Sequence, residues 1–269
     1  MWKSIYCKHF FKVIKLMIMN LNFLKKISGK LLSLQRKIYH KYFSIVYKKK
    51  VLKIIEECNN LNINTSTIYD LWINYLCLKR VINNNIEGEI VECGIWKGIS
   101  LVFFSKILEF YKIQKKIFGY DTFEGFPKPG QNDIAKDGSL MRSRFEKSKI
   151  NEDSSNWNHC SIAEVKRNIE RNTIDSENII LIKGKVEKTL QDKKNIPKKI
   201  SILKLDTCLY ESTKIELEVL FPRIQKGGVL IVDNYVNYKG VQLAVKEYFT
   251  NTNFKLKNDY VSGQIIVNV

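Results

Sequence analysis

Two apolar runs in this chain close on carboxylates. "ISILKLD" ends at Asp206, and "GGVLIVDN" ends at Asp233 with Asn234 directly behind it. Two carboxylates and an amide oxygen are hard donors of the kind magnesium takes in near-octahedral geometry while it keeps several waters. An ion held there acts as a Lewis acid toward a bound hydroxyl and fixes it in place. Either aspartate alone is also explained as the N-cap of the helix that follows it. The pair followed by Asn234 is more than a cap needs. Cys208 lies two residues beyond Asp206 on the same strand-end loop. Its thiol is a candidate general base if a neighbouring cation lowers its pKa, and otherwise a space-filling side chain. A soft thiolate is a poor direct partner for magnesium.

A second set of residues has the pattern of a nucleotide-like cofactor site. "VECGIWKGIS" places Glu92, Gly94 and Gly98 in a strand-to-helix turn. It is not the GxGxxG fingerprint of nicotinamide and flavin enzymes, and a tight turn that needs glycine explains Gly94 and Gly98 equally well. The next strand ends "GYDTFEGFP", so Asp121 stands where an acid accepts hydrogen bonds from two ribose hydroxyls. No phosphate-binding loop is present, which disfavours ATP-driven phosphoryl transfer.

The elements that must position these residues follow from periodicity. Strands are expected at 89–94, 116–121, 178–184, 200–206 and 227–234, and the tail "FKLKNDYVSGQIIVNV" reads as a closing hairpin. Helices are expected at 68–82 and 100–112, from a capping box at Ser161 and Glu164, after Glu211 with a break near Pro222, and from Gly240. Strands alternating with helices indicate an α/β, doubly wound, Rossmann-like sheet, mostly parallel with an antiparallel closing strand. Ligands bind such sheets beyond the carboxyl ends of the strands, where Asp121, Asp206 and Asp233 fall. The interval from Thr122 to Cys160 is too long for a connector and reads as a lid or substrate loop.

Four of these stretches, "VECGIWKGIS", "YDTFEGFPKP", "LIKGKVEKTL" and "KLDTCLYESTKIELEVLFPRIQKGGVLIVDNY", together resemble the macrocin O-methyltransferase (TylF-type) family over about residues 60–269. The resemblance implies S-adenosylmethionine as methyl donor and, in many members, a sugar hydroxyl as acceptor. It implies that Glu92, Gly94, Asp121, Thr122, Phe123, Gly184, Lys185 and Val186 line the cofactor site. Asp206, Asp233 and Asn234 then correspond to the Mg2+ ligands, with Asp206 and Cys208 as the catalytic positions. Two departures stand out. The family usually has a double acid where this chain has Asp233-Asn234, and often a second aspartate, proposed as base, where this chain has Cys208. The implied reaction is metal-dependent O-methylation of a sugar hydroxyl in surface-glycan or secondary-metabolite biosynthesis. Its rivals are a non-catalytic member of the fold and an O-methyltransferase of a phenolic acceptor.

Charge and composition limit the partners. The chain has 269 residues and a net charge of +18, yet residues 1–50 hold 13 Lys and Arg and no acid, while 32 basic and all 27 acidic residues lie beyond them. The basic character therefore belongs to an N-terminal extension (1–50), and the methyltransferase domain (51–269) is nearly balanced. The extension interleaves Lys with apolar residues, but its longest uncharged run, Leu16–Leu24, is far short of the roughly 20 residues of a membrane span. It reads as a helical segment packed on the body or on a second copy, in a homo-oligomer, or as a peripheral contact with an anionic membrane. No recognition motif for nucleic acid accompanies the charge. Six scattered cysteines without CxxC spacing fit a reducing cytoplasm, whether free in it or at the inner face of the membrane.

Overall fold

In the computed structural model, residues 49–250, 252–254, 256–259 and 264–269 are described. The chain divides into two compact units, residues 1–52 and 53–269. The basic extension falls outside the described residues except for the start of helix α1 (Lys49–Asn59). Among the described residues no helix is long and apolar enough to cross a membrane.

The second unit is built on a seven-stranded sheet. Its strands are β1 (Glu89–Cys93), β2 (Ile117–Asp121), β5 (Ile179–Lys183), β6 (Ile200–Leu205), β7 (Ile224–Val232), β8 (Lys257–Asp259) and β9 (Gln264–Asn268). They lie in the order β5-β2-β1-β6-β7-β9-β8. The first five of that order are mutually parallel, and β9 runs antiparallel to both β7 and β8. This is the expected sheet with its closing antiparallel strand. β6 is buried along its whole length, as a central parallel strand covered on both faces must be.

Local signals set the helix ends. Helix α2 (Ile68–Asn83) opens with a capping box in which Thr67 and Asp70 satisfy each other's backbone N–H. Helix α3 (Ile99–Tyr111) starts at left-handed Gly98. Helix α5 (Ile162–Asn172) is capped by Ser161, whose hydroxyl accepts from the Glu164 N–H at 3.3 Å. Helix α7 (Tyr210–Leu220) gives way to a 3-10 turn at Phe221–Arg223, because Pro222 lacks the N–H and crowds the preceding turn. β7 begins three residues before the expected Gly227, and the β6–β7 register shifts between Ile200 and Ile202 to absorb the extra length. Helix α8 (Lys239–Phe249) follows β7.

The long interval after β2 carries its own structure: helix α4 (Met141–Ser148) and a hairpin of β3 (Lys149–Asn151) and β4 (Ser154–Ser155). It is tied to the body by Asp133, which is buried and accepts from the backbone N–H of Tyr210 and of Gly130, both at 2.7 Å. Phe126 stacks on Trp157 at 3.9 Å, and the Arg144 guanidinium lies 4.2 Å over the same indole.

One more residue of pairing extends each central strand. Gly94 N–H donates to Tyr120, Asp206 N–H to Cys93, Asp233 N–H to Leu205, and Gly184 N–H to Asp121, all at 2.8–2.9 Å. That ladder sets the sequence-predicted functional residues along one edge of the sheet.

Candidate active site

The turn after β1 is shaped by contact with its neighbours. Gly94 has φ +82, and a Cβ there would lie 2.5 Å from the Asp206 carbonyl oxygen. Only glycine fits so close an approach. The turn is then pinned by Asp121. One of its carboxylate oxygens accepts from the backbone N–H of Ile95 and of Trp96, each at 2.9 Å, and the other from Phe123 N–H at 2.8 Å. Burial raises the Asp121 carboxyl above its ordinary value, and these backbone donors oppose the rise. The acid expected to meet ribose hydroxyls therefore shapes the loops on either side of it through backbone amides. Thr122 closes the β2 loop by donating to the Gly125 carbonyl at 2.7 Å. Phe123 is buried with φ +55. Of the "GKV" set, Gly184 lies on the edge, the Lys185 ammonium pairs with Asp153 of the hairpin at 2.6 Å, and Val186 is packed into the core.

The strand-end carboxylates converge on a group that the sequence reading passed over. Lys204 is 1% exposed. Its ammonium lies 2.9 Å from Glu92 Oε1, 3.2 Å from Asp233 Oδ2 and 3.4 Å from Asp206 Oδ2, and donates to Ser100 Oγ at 3.1 Å. Burial alone pulls an ammonium's pKa down. Here Glu92, Asp206 and Asp233 outweigh it and hold Lys204 well above its ordinary value. Burial pushes Glu92 up against the pull of Lys204. Burial and then Asp233 push Asp206 well up. Three carboxyl groups thus share one ammonium, with Glu92 buried and Asp206 and Asp233 partly exposed. Asn234 closes the far side. Its side-chain N–H donates to Asp206 Oδ1 at 2.9 Å, its backbone N–H to Asp233 Oδ1 at 2.7 Å, and its own Oδ1 accepts from Asn237 at 2.9 Å.

Cys208 sits at the corner after Asp206 with φ +64. Its thiol points back at Asp206, 3.4 Å from the carbonyl oxygen and 3.7 Å from Oδ1. Burial first, then Asp206 and Asp233, push this thiol well above its ordinary value, so it keeps its proton. Tyr238 is raised to about 12 chiefly by burial, with Cys208, Asp206 and Arg144 all close enough to act on it.

Lys204 escaped notice because a strand of Ile, Ser, Leu and Leu reads as apolar around it. One signal pointed to it. It is two residues from Asp206 and so on the same strand face, and it pairs in register with Glu92 across β1–β6. Glu216, fully buried on α7, escaped for the same reason. Among the described residues no cluster of three or more His, Cys, Asp or Glu side chains could hold a metal ion. Two acids with Asn234 are what the edge offers.

A sheet of this order, with a glycine turn after β1 and acids at the ends of β2, β6 and β7, defines a methyltransferase fold. The family model of "Macrocin-O-methyltransferase (TylF)" matches residues 74–262, and the chain belongs to that family. It is 29% identical over 175 residues to demethyldecarbamoylnovobiocin O-methyltransferase of Streptomyces niveus, a match covering 64% of this chain and 62% of that protein. It is 28% identical over 160 residues to 8-demethyl-8-(2,3-dimethoxy-alpha-L-rhamnosyl)-tetracenomycin-C 4'-O-methyltransferase of Streptomyces olivaceus, covering 59% of this chain and 57% of that one. The matched stretch thus spans about three fifths of these curated relatives. The solved structure of the O-methyltransferase NovP superimposes with a TM-score of 0.65 at 25% identity, over 80% of this chain and 87% of that one.

Proposed function

We propose that this chain is an S-adenosylmethionine-dependent O-methyltransferase whose acceptor is a sugar hydroxyl on a small molecule or glycan, oriented by a magnesium ion at Asp206, Asp233 and Asn234. The observation that carries the proposal is the charge imbalance at the strand ends. Glu92, Asp206 and Asp233 face a single ammonium, and a divalent cation beside Asp206 and Asp233 would offset this surplus of acids. The donor chemistry fits. Asp206 and Asp233 would offer carboxylate oxygens and Asn234 its amide oxygen, all hard donors of the kind magnesium takes. Asn234 faces Asp206 Oδ1 across 2.9 Å. Turning the Asn234 amide brings its oxygen to that same position, and Asn237 turns with it to donate less and accept more.

Bound at this edge, the donor supplies the methyl group and the ion supplies Lewis acidity toward the acceptor hydroxyl. The protein's share is positioning, the main source of rate in a displacement of this kind. Asp121 locks the turn against which a cofactor rests. Asp206 and Asp233 present their carboxyl groups side by side at the strand ends, each fixed by Lys204 and Asn234. The Cys208 thiol faces Asp206 as a donor and so is not set to take the hydroxyl's proton. The segment of α4 and the β3–β4 hairpin borders the site through Tyr238 and Arg144 and contributes to acceptor choice. The sugar reading is supported by the rhamnosyl group in the name of one relative.

The test is a mass-spectrometric screen of nucleotide sugars, sugar-bearing natural products and phenols with an isotopically labelled methyl donor. Magnesium-dependent label on a sugar hydroxyl is expected. Transfer only to phenols, or full transfer after exhaustive chelation, would refute the acceptor or the metal respectively.

A further inference from the structure

The two oxygens of each strand-end carboxylate have different partners. Oδ2 of Asp206 and Oδ2 of Asp233 both face the Lys204 ammonium, at 3.4 and 3.2 Å. Oδ1 of each faces Asn234, by its side chain and its backbone N–H. The ammonium cannot follow a carboxylate that moves. It is held on its other sides by Glu92 of β1 at 2.9 Å and Ser100 of α3 at 3.1 Å, and its stem is buried in the central strand.

We infer that Lys204 is a positioning residue that occupies one oxygen of Asp206 and one of Asp233, so that each carboxylate can offer a divalent cation a single oxygen, and that this sets the site's preference for magnesium over calcium. The inference rests on the magnesium reading above. The physical basis is the cost of the alternative. For either aspartate to chelate an ion with both oxygens, its Oδ2 would have to leave the ammonium, and a buried charge that loses a partner is strongly destabilised. Magnesium demands six single-oxygen contacts at short, even distances, whereas calcium takes larger numbers of ligands and accepts carboxylates two oxygens at a time. A clamp on Oδ2 favours the first ion and penalises the second.

The closing experiment titrates magnesium and calcium calorimetrically into the full chain, as wild type, Lys204→Met and the pair Glu92→Gln with Lys204→Met. The pair removes one negative and one positive charge, so the site keeps its net charge and loses only the clamp. It also strands no carboxylate on Glu92, which protects the fold if Lys204→Met alone does not survive. In the pair, magnesium binding is expected to weaken about 10- to 100-fold, as when other outer partners of metal ligands are removed, while calcium binding changes less, so the preference shrinks or inverts. An unchanged magnesium-to-calcium ratio overturns the role of Lys204 while leaving the magnesium site standing. A wild type that binds neither ion overturns both. Infrared difference spectra of the wild type need no variant. The carboxylate stretches should show single-oxygen coordination with calcium as well as with magnesium, and a two-oxygen pattern with calcium would refute the clamp.

Discussion

On the α3 side of β1 and β6, Glu92, Asp206 and Asp233 gather round the Lys204 ammonium. On the α7 side, one residue further along the same strand, Cys93 lies beside Glu216, which is also fully buried but has no cation partner among the described residues. Glu216 accepts from the Thr207 hydroxyl at 3.3 Å, and its other oxygen has no hydrogen-bond partner among the described residues. Its carboxylate neighbour Glu187 is bonded by the Ser212 hydroxyl at 2.6 Å. Burial, reinforced by Glu187 and Asp206, drives Glu216 well above its ordinary value. Both clusters consist of acids a few residues apart, and burial raises carboxyls in both, yet one is gathered round a built-in ammonium and the other is held by hydroxyl donors. The difference shows that burial of an acid does not by itself mark a site. Acids gathered round an ammonium at partly exposed strand ends are a better marker, because a second cation can reach them.

The comparison breaks most visibly at the strand-end acids. Asp206→Ala or Asp233→Ala should lower methyl transfer about 10³-fold, since Lewis-acid stabilisation is worth several kcal/mol, with affinity for S-adenosylhomocysteine nearly intact by calorimetry. A variant with wild-type turnover would make this cluster as structural as that of Glu216. Asp121 is bound in a third way, by backbone N–H groups. Asp121→Ala releases three of them, at about 1.5–3 kcal/mol for a hydrogen bond to a charged group. A loss of one bond's worth corresponds to about 10- to 100-fold weaker S-adenosylhomocysteine binding. Unchanged affinity would show that the turn holds its shape without the acid.

Those acids were legible from the sequence because each ends an apolar run, and the parallel pattern alone places run ends on one edge. The succession of strands and helices was legible too, through the apolar runs, the Ser161 cap and the break near Pro222. What the sequence hid are the groups inside the runs. Lys204 and Glu216 look like ordinary polar interruptions of a strand and a helix, and only the β1–β6 register and the packing of α7 reveal that they are buried against acids. Asp121 was read as an acid for ribose hydroxyls, and nothing in one dimension shows that Ile95 and Trp96 aim their N–H groups at it. The interval 122–160 hid a helix and a hairpin because its elements are short and lie among Gly, Pro and Ser.

Glu216 sharpens the comparison through pH. A carboxyl whose folded pKa lies above its unfolded one binds more protons in the native state, so stability falls as pH rises from about 4.5 toward the raised value. Glu216→Gln has no proton to lose. Relative to wild type it should gain about 1.4 kcal/mol of stability per pH unit across that window, read by denaturant unfolding at pH 5, 6, 7 and 8. Parallel stability curves for the two proteins would mean that Glu216 is ionised in the fold and that its cluster resembles the other more closely than the structure indicates.

Cys208 stands between the two clusters and should matter least. Its thiol is raised by burial and then by Asp206, Asp233 and, among the smaller contributions, Glu216, so both groups of acids act to keep it protonated. Its hydrogen faces Asp206, which is the geometry of a donor and the reverse of what a base needs. Serine offers the same donor on a slightly shorter arm, so Cys208→Ser should keep turnover within about tenfold, whereas losing a true general base costs about 10²–10⁴-fold. Cys208→Asp, the residue the family more often carries here, should raise turnover on a sugar hydroxyl if the site gains a base near the acceptor. Both variants must hold the left-handed corner at φ +64, and aspartate tolerates that conformation better than most residues. A Cys208→Ser enzyme that binds S-adenosylhomocysteine and magnesium normally but is inactive would make sulfur the base, and would mean that the charged cluster lowers the thiol's pKa once its cation is in place.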